Sequence, residues 1–193
     1  MFDPTIRSAH LITLYHLWNE KRGTRVMPTR ADFDPIEMVP LLPHLYLVDV
    51  ASGPGVDELR FRYRLIGTSI VALLGRDSTG KWADETLHGD KAPGIRDLFT
   101  LLFETKAPVA IKGFIFFIRD KNWVFVEGLL LPLSADGETV TMILVGLIQV
   151  PAIVDQNAKE SDRSVIQVFS DPKMYAYPDP VIDDRRHSER SRG

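Results

Sequence analysis

At 193 residues, with 45% hydrophobic and 25% charged side chains, the chain has the length and balance of one globular domain with extensions. Its net charge of −3 argues against a dedicated nucleic-acid binder, which needs a basic excess to neutralise phosphates. The absence of cysteine excludes disulfides, thiolate metal sites, cysteine nucleophiles and any photochemistry through a thiol adduct.

"MFDPTIRSAH" shows no basic region leading into an apolar core, so no secretory signal is expected. Apolar runs such as "GLLLPL" are too short to span a bilayer. These features predict a soluble, cytoplasmic protein without membrane insertion.

From about Thr5 to Arg22 the pattern is helical. Leu11, Leu14, Tyr15 and Trp18 recur at three- and four-residue spacing, and Gly23 follows as a stop. Asp34, Pro35 and Glu37 then resemble a helix start, kept short by Pro40 and Pro43. "HLYLVDVA" (44–51) and "ELRFRYRLI" (58–66) predict a hairpin around "SGPGVD". In its second strand Phe61, Tyr63 and Leu65 would share one face and Arg60, Arg62 and Arg64 the other.

Thr68 to Leu74 predicts a short helix, followed by the turn-rich "GRDSTGKWADETLHGDKAP". "GIRDLFTLLFETKA" predicts an amphipathic helix. Three strands should follow, over 109–120, 123–133 and 139–150, with turns at "DKN" and "SADGE". Beyond Pro151 the chain becomes charged, with prolines at 172, 178 and 180, and predicts a largely mobile extension. At most one short helix is expected there, around Arg163 to Phe169.

Two strands, small helices, one longer helix and three antiparallel strands make the element order of a PAS domain. "YRLIGTSIVALLGRDSTGK" resembles the PAS pattern of a strand ending in glycine, a short helix and a Gly-x-x-x-x-Gly segment, here Gly67, Gly75 and Gly80. "MPTRADFDPIEMVPLLPHLYLVDV" is similar to a bacterial subfamily of single-domain PAS-like regulatory proteins, through Arg30, Asp32 and Pro35 and then Leu42 and Pro43. The resemblance implies an α+β fold: a five-stranded antiparallel sheet with short helices on one face and the N-terminal helix on the other. Residues 1–43 would form the helical lead, 44–150 the core and 151–193 the extension. It also implies a sensory or regulatory role, a homodimer, and signalling partners such as a sensor kinase.

No catalytic or metal-binding set stands out. His10 and His16 lie six residues apart, on different faces of a helix, and His44 has no ligand-spaced neighbour. His88, beside Asp84 and Glu85, is the polar cluster with acid–base potential, and its alternative is a solvated loop. Some PAS proteins hold haem through a histidine on the longer helix, which has none here. The cofactor is therefore left unassigned.

Phe99, Phe103, Phe114, Phe116, Trp123, Phe125 and Met142 could wall a cavity for a small-molecule ligand, or simply pack as core. In "TVTMILVGLIQV" both rows of side chains are apolar, so both faces of that strand require cover. The row Ile143, Val145 and Leu147 is the candidate surface for the stripe of Leu11, Leu14, Tyr15 and Trp18 or for a second subunit.

Arg186 and Arg190 share the spacing of an entry motif of cyclic-dinucleotide-binding PilZ domains, whose remainder is absent, so they are read as a solvated tail. Two classes compete with the regulatory module. One is a small α+β enzyme using His88, Asp84 and Glu85. The other is a nucleic-acid module using Arg60, Arg62 and Arg64, which the net acidity opposes.

Overall fold

The computed structural model describes residues 6–53, 55, 58–89, 92–115, 124–150 and 165–168. The N-terminal helix α1 runs Ala9–Arg22 and stops where Gly23 turns to φ +55°, its N–H bonded to the Glu20 carbonyl. Leu11, Leu14, Tyr15 and Trp18 are all buried along one stripe. Asp34 does not start a helix. Its Oδ1 accepts the Ile36 N–H at 2.9 Å, and the chain continues through successive i to i+3 turns. Two 3-10 helices, Arg30–Asp32 and Leu42–His44, flank those turns.

The strands are β1 (Leu45–Ser52), β2 (Leu59–Ile66), β3 (Val109–Ile115), β4 (Val124–Ser134), β5 (Val140–Gln149) and β6 (Val165–Val168). Three helices lie between β2 and β3: α2 (Thr68–Leu74), α3 (Glu85–His88) and α4 (Ala92–Thr105). All the strand pairs are antiparallel, in the order β2-β1-β5-β4-β3-β6. The predicted five-stranded sheet is therefore present, with β6 added at the free edge of β3.

Val165–Val168 corrects the expectation of a short helix around Arg163 to Phe169. Three of its four residues are β-branched, and it pairs with Val109–Lys112, whose edge would otherwise be open. α3 likewise replaces a predicted turn. Asp84 caps it, accepting the Thr86 and Leu87 N–H groups.

One extra residue changes the faces of β2. Leu47 opposes Leu65 and Val48 opposes Tyr63, so Arg64 is a bulge. Phe61 and Tyr63 are buried on one face as predicted, but Leu65 turns to the other and is 45% exposed.

Gly67 shows why glycine ends this strand. A Cβ there would lie 2.3 Å from the Leu42 carbonyl oxygen and 2.4 Å from that of Pro43, and backbone cannot yield as a side-chain end can. Gly75 serves differently, closing α2 in the left-handed region at φ +69°. Gly67→Ala is expected to lower stability by about 1–3 kcal/mol, an overpacking cost, measured as a shifted denaturation midpoint with unchanged slope.

Candidate functional site

The sheet is covered on both faces, and the two covers define the places where function can reside. Leu45, Gly146 and Leu129 are in register across β1, β5 and β4, so they share one face. A Cβ on Gly146 would meet Leu11 Cδ2 at 2.6 Å and Leu14 Cδ2 at 2.8 Å, which places α1 directly on that face. Glycine lets the helix approach this closely. Lower down, the Trp18 indole Nε1–H donates to the Pro132 carbonyl at 2.9 Å in a fully buried contact. Arg22 closes the far end, with its guanidinium 5.7 Å from the Trp18 ring centre and Nη1 donating to the Arg25 carbonyl at 2.8 Å.

The start of α1 is held by the sheet rather than by its own sequence. Ser8 makes no side-chain cap. Instead Glu127 Oε2, on β4, accepts the N–H groups of Arg7 and Ser8, both at 2.9 Å. Its Oε1 accepts from Lys112 Nζ at 3.0 Å. Glu127 is 2% exposed, so a buried carboxylate is matched by an ammonium and by the donor end of a helix.

The opposite face carries α2 and α4. Ile70 and Leu73 of α2 cluster with Val126 and Leu147, while Phe99 of α4 meets Phe61 at 5.1 Å between ring centres. This corrects the predicted seating of α1. Ile143, Val145 and Leu147 alternate away from Gly146 and lie on the α2 and α4 side, whereas the α1 stripe lies over the other row. Both rows are apolar, so alternation alone could not distinguish them. All seven of these side chains, the four on α1 and the three on β5, are buried within one chain.

Among the described residues the aromatic set does not come together either. Phe99 and Phe103 belong to α4 and its face. Phe125 lies on the α1 face, where Lys112 Nζ stands 5.9 Å from its ring centre, and Met142, opposite Leu133 and Asp49, is on that face too. Phe114 is in register with Phe125, while Phe116 and Trp123 lie outside the described residues, as do Arg186 and Arg190. A cleft of about 750 Å³ opens instead between the β1–β2 end and α4, lined by Ser52, Leu59, Arg96, Thr100, Phe103 and Glu104 among others.

The His88 cluster takes a different form from an acid–base array. Asp84 is occupied as the α3 cap, and Glu85 bridges Arg96 at 3.0 Å. His88 Nε2 lies 3.1 Å from the Tyr63 hydroxyl, and Nδ1 lies 3.5 Å from Arg76 Nη2. Burial, reinforced by Arg76 and opposed by Asp84, pushes the imidazole down to about 4, and burial raises the Tyr63 hydroxyl.

Because the folded value lies below the ordinary 6.5, the unfolded chain binds the extra proton between them. Stability should thus be full above pH 6.5 and fall as pH drops toward 4. With His88 only half buried, we expect about 1 kcal/mol lost between neutral pH and pH ~5. Urea titrations of wild type and His88→Gln check this, and an equal loss in both would remove the assignment.

Sequence spacing did not reveal that His10 and His44 meet, with ring centres 5.2 Å apart. Burial and His10 lower the His44 imidazole. Among the described residues no three or more His, Asp or Glu side chains are placed to hold a metal ion. Among them, too, no helix is long and apolar enough to cross a membrane.

A family model for the PAS domain matches residues 6–149. The chain belongs to the PAS family. The match extends through the N-terminal helix, so α1 lies within the matched region, together with the five strands β1 to β5. Comparison with curated proteins returns no match. As a PAS domain, the chain is of a sensory and regulatory class, and the glycines of its Gly-x-x-x-x-Gly segment and of the strand end before it have local roles. Gly67 passes under the Leu42–Pro43 backbone, Gly75 closes α2, and Gly80, at φ +82°, turns the chain back along β2.

Proposed function

We propose that this PAS protein is a non-catalytic regulatory module that acts in the cytoplasm through protein–protein interaction in signal transduction. The observation that carries the reading is the seating of α1. Its whole apolar stripe is committed to the sheet, and Glu127 ties Arg7 and Ser8, the two residues leading into the helix, to β4 and, through Lys112, to β3. A shift in the sheet would therefore change what the helix presents outward. The partners in this reading are a second copy of the chain and a signalling protein such as a sensor kinase. A small-molecule ligand would enter the cleft over Phe103. With the α1 stripe covered, self-association would have to use other surfaces.

Native mass spectrometry of freshly purified protein tests the reading, with two subunits expected and any retained ligand visible as added mass. A bare monomer at every concentration would remove the dimer. A hydrolytic activity on esters or phosphoesters that His88→Ala abolishes would overturn the non-catalytic assignment.

A further inference from the structure

The α1 face of the sheet has a margin that carries arginines. Arg60 and Arg62 oppose Ala51 and Asp49 across the hairpin, so both point to this face. On the outer side of β2 the chain returns as Gly80–Ala83. Gly80 N–H bonds to the Tyr63 carbonyl, Tyr63 N–H to that of Lys81, and Ala83 N–H to that of Phe61, at 2.6, 2.9 and 2.8 Å. This return sets Trp82 opposite Arg62.

The two guanidinium groups are held in different ways. Arg60 lies over the Trp82 ring, 4.0 Å from its centre. Arg62 Nε donates to the Gly80 carbonyl at 3.0 Å. Neither has a carboxylate partner among the described residues, and the nearby Asp49 is taken by Arg64 at 3.2 Å.

Fixing an arginine ordinarily sacrifices much rotamer freedom, and here a stack and a backbone carbonyl have already done so. The remaining N–H donors are left for an anion. The spacing narrows what that anion is. Side chains two residues apart on a strand repeat at about 6.8 Å, the same repeat with which an extended chain presents alternate residues. A nucleic acid fits less well, because Arg60 covers the Trp82 face needed for base stacking.

We propose that this margin docks an extended acidic segment of a partner protein, whose alternate Asp or Glu side chains meet Arg60 and Arg62. The proposal rests on the regulatory-module reading and gives the partner a chemistry.

Fluorescence anisotropy of the full chain with a labelled twelve-residue peptide of alternating Glu and Ser, at low salt, tests it. A lysine–serine peptide and a twelve-nucleotide thymidine strand serve as comparators. The acidic peptide should bind, and neither comparator should compete for it. R62Q, at an exposed position that should leave the fold intact, is expected to weaken binding about threefold, and R60Q/R62Q about tenfold. K106Q removes the same charge from an exposed site elsewhere and should change it less than about twofold.

Absence of binding, or equal losses in R62Q and K106Q, would overturn the proposal. So would a thymidine strand that displaces the peptide with the same arginine dependence, since the margin would then belong to nucleic acid. Native mass spectrometry of the wild-type chain is a separate readout, so absence of peptide binding beside an intact dimer removes the arginine margin and leaves the regulatory-module reading standing.

Discussion

Trp18→Ala is expected to lower the stability of the folded chain by about 3–5 kcal/mol, the range for truncating a large buried aromatic side chain. Trp18 is fully buried, and it is the residue through which α1 makes both an apolar and a polar contact with the sheet. Truncation opens a cavity under the helix and leaves the Pro132 carbonyl without its indole donor. Arg22 loses the ring it lies against and must find other cover. Chemical denaturation at neutral pH measures the effect. Trp18→Phe should recover most of the packing but not the hydrogen bond, and so fall between the two. A Trp18→Ala protein as stable as wild type would mean that α1 does not hold this seat in solution.

Glu127→Ala should cost about 3 kcal/mol, the lower part of the range for breaking a buried ion pair. The value is at the lower end because the Lys112 side chain is 27% exposed and can turn to water. The Arg7 and Ser8 N–H groups also lose the acceptor that caps the helix from outside its own sequence. Glu127→Gln keeps an oxygen in place but loses the charge, and should cost roughly half as much. The two variants thus separate the hydrogen bonds from the ion pair. Equal stability of both variants and wild type would show that the start of α1 is held by packing alone.

The apolar character of both rows of β5 was legible in the sequence and correctly required two covers. The row beneath α1 was not, because Leu144 and Ile148 look as apolar as Ile143 and Leu147. Only the approach of Leu11 and Leu14 to Gly146 decides it, and the same reversal puts Met142 and Phe125 on the face away from Phe99. The bulge at Arg64 was hidden for a related reason: one inserted residue leaves the alternation of β2 looking regular while turning Leu65 outward.

Other features had signals that went unused. Asp84 followed by Glu85 is a helix start of the kind that α3 shows, and the single carboxylate in "VEGLLLPL" marked Glu127 as a buried, partnered charge. The meeting of His10 with His44 had none, since it depends on how α1 lies across the entrance to β1. The strand at Val165–Val168 was obscured by the charged chain around it, although its β-branched run is the composition of an edge strand.

α1 is an integral cover of this PAS sheet, tied at its entry by Glu127 and along its length by Trp18. Hydrogen exchange of the full chain, read by mass spectrometry on peptides spanning Ala9–Arg22 and Val140–Gln149, tests it most directly. The helix amides should be protected to nearly the same degree as those of β5, and Glu127→Gln should accelerate exchange in the first turns of α1 while leaving β5 unchanged. Rapid exchange throughout Ala9–Arg22 in the wild-type chain, beside a protected β5, would contradict it.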